Sequence, residues 1–154
     1  MVGGGRAGAP SLKARALRAL SMREHSRAEL ARKLAPHAES EEQLTALLDA
    51  LEAERWLSND RFAQSLVHRR AERFGSARIK AELKSHGLAA EVVEQVIQAC
   101  EDTEFARARE VWLRRFGLPA TDAKERAKQA RFLAGRGFSS VVIHRLVSGL
   151  DETG

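Results

Sequence analysis

Tyrosine is absent from this chain, cysteine occurs once, and proline only three times. Six Phe and two Trp supply all the aromatic content. So few aromatic and β-favouring residues, in a chain dominated by Ala, Leu, Arg and Glu, disfavour a β-sandwich or barrel and favour helices. The lone Cys100 cannot close an internal disulfide, which fits a reducing compartment. No apolar run approaches the ~18 residues of a membrane span. The opening MVGGGRAGAP lacks the apolar centre of a secretory signal, so the expected location is the cytoplasm.

Chemistry is sparse as well. His25, His37, His68, His86 and His144 are scattered, with no i, i+4 pair and no second ligand nearby in sequence, so each is expected at a surface or a cap and no metal is expected. Cys100 continues the apolar stripe of Val93, Val96 and Ile97 and reads as a core residue. Gly3, Gly5 and Gly8 spell G-x-G-x-x-G, but nothing strand-like precedes them, so the dinucleotide reading fails and residues 1–10 are expected to be a flexible tail. No phosphate-binding loop or nucleophile elbow is present. The acidic residues are expected on solvated helix faces beside Arg and Lys. These absences argue for a binding protein without a cofactor, not an enzyme.

What the chain does have is enough mass for a core and a modest basic excess. A compact body of 154 residues needs neither disulfide nor metal to fold. Hydrophobic residues at 44% and charged residues at 31% are globular in balance. The formal charge of +5 is unevenly placed: zero over residues 11–57, +2 over 58–100 and +4 over 101–150. Such a balance suggests a polyanionic partner, although charged helix faces also serve solubility alone.

Helix signals fill the chain. A first helix is expected over about Leu12–Arg23, with Ala16, Leu17 and Leu20 inward. Ser26…Glu29 and Ser40…Gln43 form capping boxes, in which a side chain at each end takes a free backbone N–H of the other. Pro36 ends the helix carrying Leu30 and Leu34. Leu44, Leu47, Leu48 and Leu51 follow at i, i+3, i+4, i+7. Ser58, Asn59 and Asp60 restart the chain. The next helix is expected to bury Ala63, Leu66, Val67, Ala71 and Phe74 and to end at a left-handed Gly75. Ser76 opens another with Ile79 and Leu83 inward, ended by Gly87, before a helix with Val92, Val93, Val96, Ile97 and Cys100. Thr103 is expected to cap a helix with Phe105, Ala108, Trp112 and Phe116 on one side and Arg107, Glu110 and Arg114 on another, broken by Gly117 and Pro119. Asp122 caps the next, which Gly135 and Gly137 stop. Val142, Ile143, Leu146 and Val147 mark the last.

A 50-residue shift lays Leu83, Gly87, Leu88, Val92, Val93, Val96 and Ile97 on Leu133, Gly137, Phe138, Val142, Ile143, Leu146 and Val147. Phe62…Phe74-Gly75 echoes Phe105…Phe116-Gly117. A period of 40–50 residues with three helices each points to an all-α, elongated array of three tandem three-helix units resembling helix-turn-helix modules. The expected bounds are 11–58, 59–102 and 103–150. The candidate binding residues are Arg69, Arg70, Arg73, Arg78, Lys80 and Lys84 in the second unit. The third unit offers the basic residues Arg107, Arg114, Arg115, Lys124, Arg126, Lys128, Arg131 and Arg136; of these Arg114, Lys124, Lys128 and Arg131 are the candidates, with Lys124, Lys128 and Arg131 forming a stripe at i, i+4, i+7. Asn and Gln are few on the outer faces, so phosphate contact or a protein partner is favoured over base reading.

Ala16–Leu30 (ALRALSMREHSRAEL) resembles the opening signature of the RecX family of RecA regulators. Leu57–Ala63 (LSNDRFA) resembles the start of its second unit, and Gly75…Arg78-Ile79…Glu82-Leu83…Gly87 the segment that follows. The resemblance covers about 12–150, is weakest in the third unit, and departs locally at the insertion over Pro36–Glu39. It implies a cytoplasmic bacterial regulator that binds the filament of RecA on single-stranded DNA and inhibits its ATPase and strand exchange, within DNA repair, recombination and the SOS response. It carries no catalytic residues over. A monomer without cofactor or membrane contact is expected. The alternative is a generic basic helical DNA-binding regulator.

Overall fold

The computed structural model of the chain describes residues 8–148. Among them are nine α-helices, one 3-10 turn and no strand. The helices are α1 (Leu12–Met22), α2 (Arg27–Leu34), α3 (Glu41–Ala53), α4 (Asn59–Arg70), α5 (Ser76–Ser85), α6 (Ala90–Asp102), α7 (Glu104–Arg115), α8 (Ala123–Gly135) and α9 (Ser140–Ser148). Gly3 and Gly5 of the G-x-G-x-x-G string, most of the expected tail, and the last two residues of the expected third repeat lie outside the described residues. The chain divides into two compact units, Met1–Phe62 and Ala63–Gly154, with the boundary inside α4.

In the first unit the core is Ala16, Ala19, Leu30, Leu34, Leu48, Leu51 and Leu57. Leu17 and Leu20, expected at the centre of the α1 stripe, are only half-buried against it. The small alanines take the centre because they let helix backbones approach. Ser11, Ser26 and Ser40 cap α1, α2 and α3, each accepting a backbone N–H at 3.0 Å. Only half of each expected capping box forms as drawn. Glu29 turns away to pair with Arg23, and Gln43 Oε1 accepts the N–H of Glu39 at 2.6 Å. Pro36 sits in the 3-10 turn Ala35–His37 that follows α2. Ser58 caps α4 at 3.1 Å. Asn59 instead accepts the N–H of Arg27 at 2.8 Å, satisfying the first donor of α2.

His25 corrects the surface expectation for histidines: it is buried. Its Nδ1 lies 3.0 Å from the Arg23 carbonyl and its Nε2 lies 3.3 Å from Lys33 Nζ. Burial pushes its pKa below the ordinary histidine value, and the contacts suit a neutral ring that donates at Nδ1 and accepts at Nε2.

In the second unit α7, α8 and α9 enclose Ala108, Val111, Trp112, Leu133, Phe138, Ile143 and Leu146. Trp112 Nε1 donates to the buried Gln129 at 2.9 Å, and Gln129 donates on to the Leu118 carbonyl at 3.1 Å. Helices α5 and α6 bury Ile79, Leu83, Val93, Ile97 and Cys100. The 50-residue offset holds in the backbone: Gly87 and Gly137 both have positive φ, +69° and +89°. The Phe-Gly echo does not. Gly117 is left-handed after α7 (φ +74°), whereas Gly75 has φ −84° and ψ 170° and is the N-cap of α5. Helix α4 has already ended at Arg70. Gly75 is required for closeness instead. A Cβ there would stand 2.3 Å from the Gly137 carbonyl oxygen, and the Gly75 N–H donates to the Arg136 carbonyl at 2.8 Å.

Candidate nucleic-acid interface

The cationic surface of the second unit is held by two buried or half-buried charges. Glu104, the first residue of α7, is buried. Its two carboxylate oxygens accept the N–H of Ser76 at 3.0 Å and of Ser139 at 2.7 Å. Thus one carboxylate meets the N-terminal turns of α5 and α9 while sitting at the start of α7. Helix N-termini carry free N–H donors and partial positive charge, so they suit an anion. Burial by itself raises the pKa of Glu104, but the contacts from Ser76 and Ser139 and the nearby Arg107 outweigh it and hold the carboxyl below its ordinary value.

Arg107, expected on a different side of α7 from Phe105 and Trp112, turns its guanidinium inward. Nη1 donates to the carbonyls of Ala71 and Phe74, both at 2.7 Å. Nη2 donates to the Cys100 carbonyl at 2.8 Å and meets Cys100 Sγ at 2.9 Å, and Nε donates to Thr103 Oγ1 at 3.0 Å. All five guanidinium donors are engaged. Thr103 therefore serves Arg107 and makes no side-chain cap for α7. Cys100 is buried as expected, yet in polar company.

The ten sequence-derived candidates separate into groups. Arg70 grips Glu82 with two parallel bonds, at 2.9 and 3.0 Å, and holds the Glu82 carboxyl below the usual range. Lys80 pairs with Glu94 at 3.4 Å. These two cations tie α5 to its neighbours. Arg78 lays its guanidinium 4.0 Å from the Phe74 ring centre and donates to the Gly135 carbonyl at 3.3 Å. Arg73 lies 5.7 Å from the same ring. Arg114 donates to the Glu72 carbonyl at 3.2 Å. Arg69, Lys84, Lys124, Lys128 and Arg131 are exposed, the last three along α8. Among the described residues no ion pair engages any of these five.

Arg115 and Arg136, like Arg114, belong to the basic residues expected in the third repeat, but no sequence pattern places them beside Arg73. In the fold the four surround a cavity of about 270 Å³ walled by Val111 and Phe132. Arg115 lies 5.4 Å from the Phe116 ring and 5.3 Å from Phe132; Arg136 lies 5.0 Å from Phe132 and 5.7 Å from Phe74. Phe116 and Phe132 meet edge to face at 5.5 Å. A usable signal exists in the sequence: an Arg immediately precedes Phe at Arg61-Phe62, Arg73-Phe74, Arg115-Phe116 and Arg131-Phe132.

Among the described residues no group of His, Cys, Asp or Glu is arranged to hold a metal ion, and no helix is long and apolar enough to cross a membrane. Helical trios without a strand among the described residues define an all-α protein built from three-helix domains. The chain belongs to the RecX family: residues 58–97 match the second three-helix domain of RecX and residues 102–147 the third. It is 59% identical to the regulatory protein RecX of Ralstonia nicotianae over 92% of this chain and 89% of that one. With the regulatory protein RecX of Chromobacterium violaceum it shares 44% identity over 90% of each. A crystal structure of RecX from Lactobacillus salivarius has the same fold, with a TM-score of 0.73 at 20% identity over 92% of this chain and 95% of that one. The family is one of regulatory proteins.

Proposed function

We propose that this chain is a non-catalytic, cytoplasmic regulator of the RecA recombinase. It binds as a monomer to the RecA filament on single-stranded DNA and inhibits ATP hydrolysis and strand exchange, so modulating repair, recombination and the SOS response. Membership of the RecX family along most of the chain carries this reading. Its three tandem repeats, 11–58, 59–102 and 103–150, are part of the proposal. Exposed cations at Arg69, Lys84, Lys124, Lys128 and Arg131 supply phosphate or acidic-surface contacts that need no base reading. Arg70 and Lys80, already engaged by carboxylates, act chiefly by holding α5 in place.

The test adds purified protein, below the RecA concentration, to RecA on single-stranded DNA and follows ATP hydrolysis. A fall in rate is expected; no change in either direction refutes the proposal. The arginine cavity favours a second reading, a DNA-binding regulator that does not act on RecA. That reading gains if the protein binds DNA but leaves RecA hydrolysis unchanged.

A further inference from the structure

We propose that the cavity between Arg73, Arg114, Arg115 and Arg136 is a phosphodiester subsite for single-stranded nucleic acid. The inference deepens the reading above by assigning the nucleic-acid contact to a place, and it concerns DNA alone. Three observations carry it. First, four arginines line a space of about 270 Å³, and among the described residues no carboxylate pairs with any of them. Clustered like charges repel, so a cluster left unneutralised by the fold is stabilised by an anion from outside. Second, the guanidiniums are not loose. Arg136 is fixed by a 3.1 Å bond to the Arg73 carbonyl and Arg114 by a 3.2 Å bond to the Glu72 carbonyl. Arg73 lies against the ring of Phe74, and Arg115 against those of Phe116 and Phe132. Held forks match phosphate oxygens two at a time and lose little freedom on binding. Third, the volume lies just below the ~300–1,000 Å³ of sites that take a drug-sized molecule. It suits a phosphodiester with part of its sugar.

The pattern favours a nucleic-acid strand over an acidic peptide. Phosphates recur at fixed short intervals along a strand, so neighbouring guanidiniums each meet a charge. The outer planes of guanidiniums packed on rings also offer faces on which unpaired bases stack. Arg73 and Arg115 are the informative positions, because among the described residues neither side chain makes a hydrogen bond that holds the fold.

The experiment measures binding of a fluorescein-labelled oligothymidylate to the full chain by anisotropy across a salt series, without RecA. Arg73→Ala and Arg115→Ala are each expected to lower affinity about tenfold. Each should also flatten the log–log salt slope by about 0.7, and the double variant should approach the sum. A charge-matched control, Lys13→Ala with Arg32→Ala on α1 and α2, should keep the slope within error. Unchanged slopes in the cavity variants, with folding verified by circular dichroism, overturn the proposal. So does an equal loss in the control, an absence of binding by the unaltered chain, or displacement of the oligonucleotide by polyglutamate as efficiently as by unlabelled strand. RecA hydrolysis is read separately. Variants that lose the oligonucleotide yet still inhibit RecA leave the subsite standing and detach it from the regulatory reading.

Discussion

Single residues in this protein do work that their type does not announce. Glu104 is the clearest case: a carboxylate expected in solvent instead accepts N–H groups from Ser76 and Ser139. Glu104→Gln leaves one acceptor oxygen and turns an amide toward a donor. It should cost about 1.5–3 kcal/mol near neutral pH, the range for hydrogen bonds to a charged group. The folded pKa is depressed, so the stabilisation is present above the unfolded carboxyl value and is lost as pH falls through the folded value. Urea unfolding at pH 7 should separate the two proteins, and the gap should close in acid. Phe74 makes the opposite correction. It is half-buried, under the guanidiniums of Arg73, Arg78 and Arg136, and is not a core ring. Phe74→Ala should cost about 1–2 kcal/mol, less than full burial of such a side chain would give. A thermal melt that loses 4 kcal/mol would put the ring back in the core.

Among the elements, glycines separate closeness from conformational freedom. Gly75 and Gly137 bring the N-terminus of α5 against the turn after α8: a Cβ on Gly137, which is itself left-handed, would stand 2.5 Å from Arg78 Cβ. Gly135, in the last turn of α8, has open space around it. Gly75→Ala should therefore destabilise by about 1–3 kcal/mol, toward the upper end because the obstacle is backbone. Gly135→Ala should be neutral or stabilise by up to about 1 kcal/mol through a less flexible unfolded chain. The denaturant midpoint should fall for Gly75→Ala and hold or rise for Gly135→Ala. Sequence pattern captured the helices themselves because the i, i+3, i+4 spacing and the caps Ser26, Ser40 and Asp122 are local signals. It misread Gly75 because a glycine before Ser and after Phe looks like a helix end, and only a partner 62 residues away reveals the close approach.

For the whole molecule the question is how its charge meets a partner. Arg69→Glu with Arg73→Glu changes net charge by −4 and reverses the exposed basic ground near the end of α4 and the cavity. Binding to the RecA–DNA filament should weaken at low salt and converge with the unaltered chain as salt screens the difference. Sedimentation or anisotropy over a salt series, with the fold checked by circular dichroism, measures this. Equal binding at every salt concentration would remove that face from the account.

Read alone, the residues were enough for the all-helical class, most helix starts, the paired glycines at 87 and 137, and the family. Each of these is written in neighbouring residues or in a motif that needs no partner. The sequence also supplied the pool of basic residues. What each cation does is set by the fold, because charge type does not say where a chain returns. Arg70 and Lys80 meet carboxylates, Arg107 turns inward to cap the end of α4, and Arg115 and Arg136 join Arg73 and Arg114 around one cavity. Residues 73 and 136 meet because Gly75 and Gly137 lack the side-chain atoms that would keep their backbones apart.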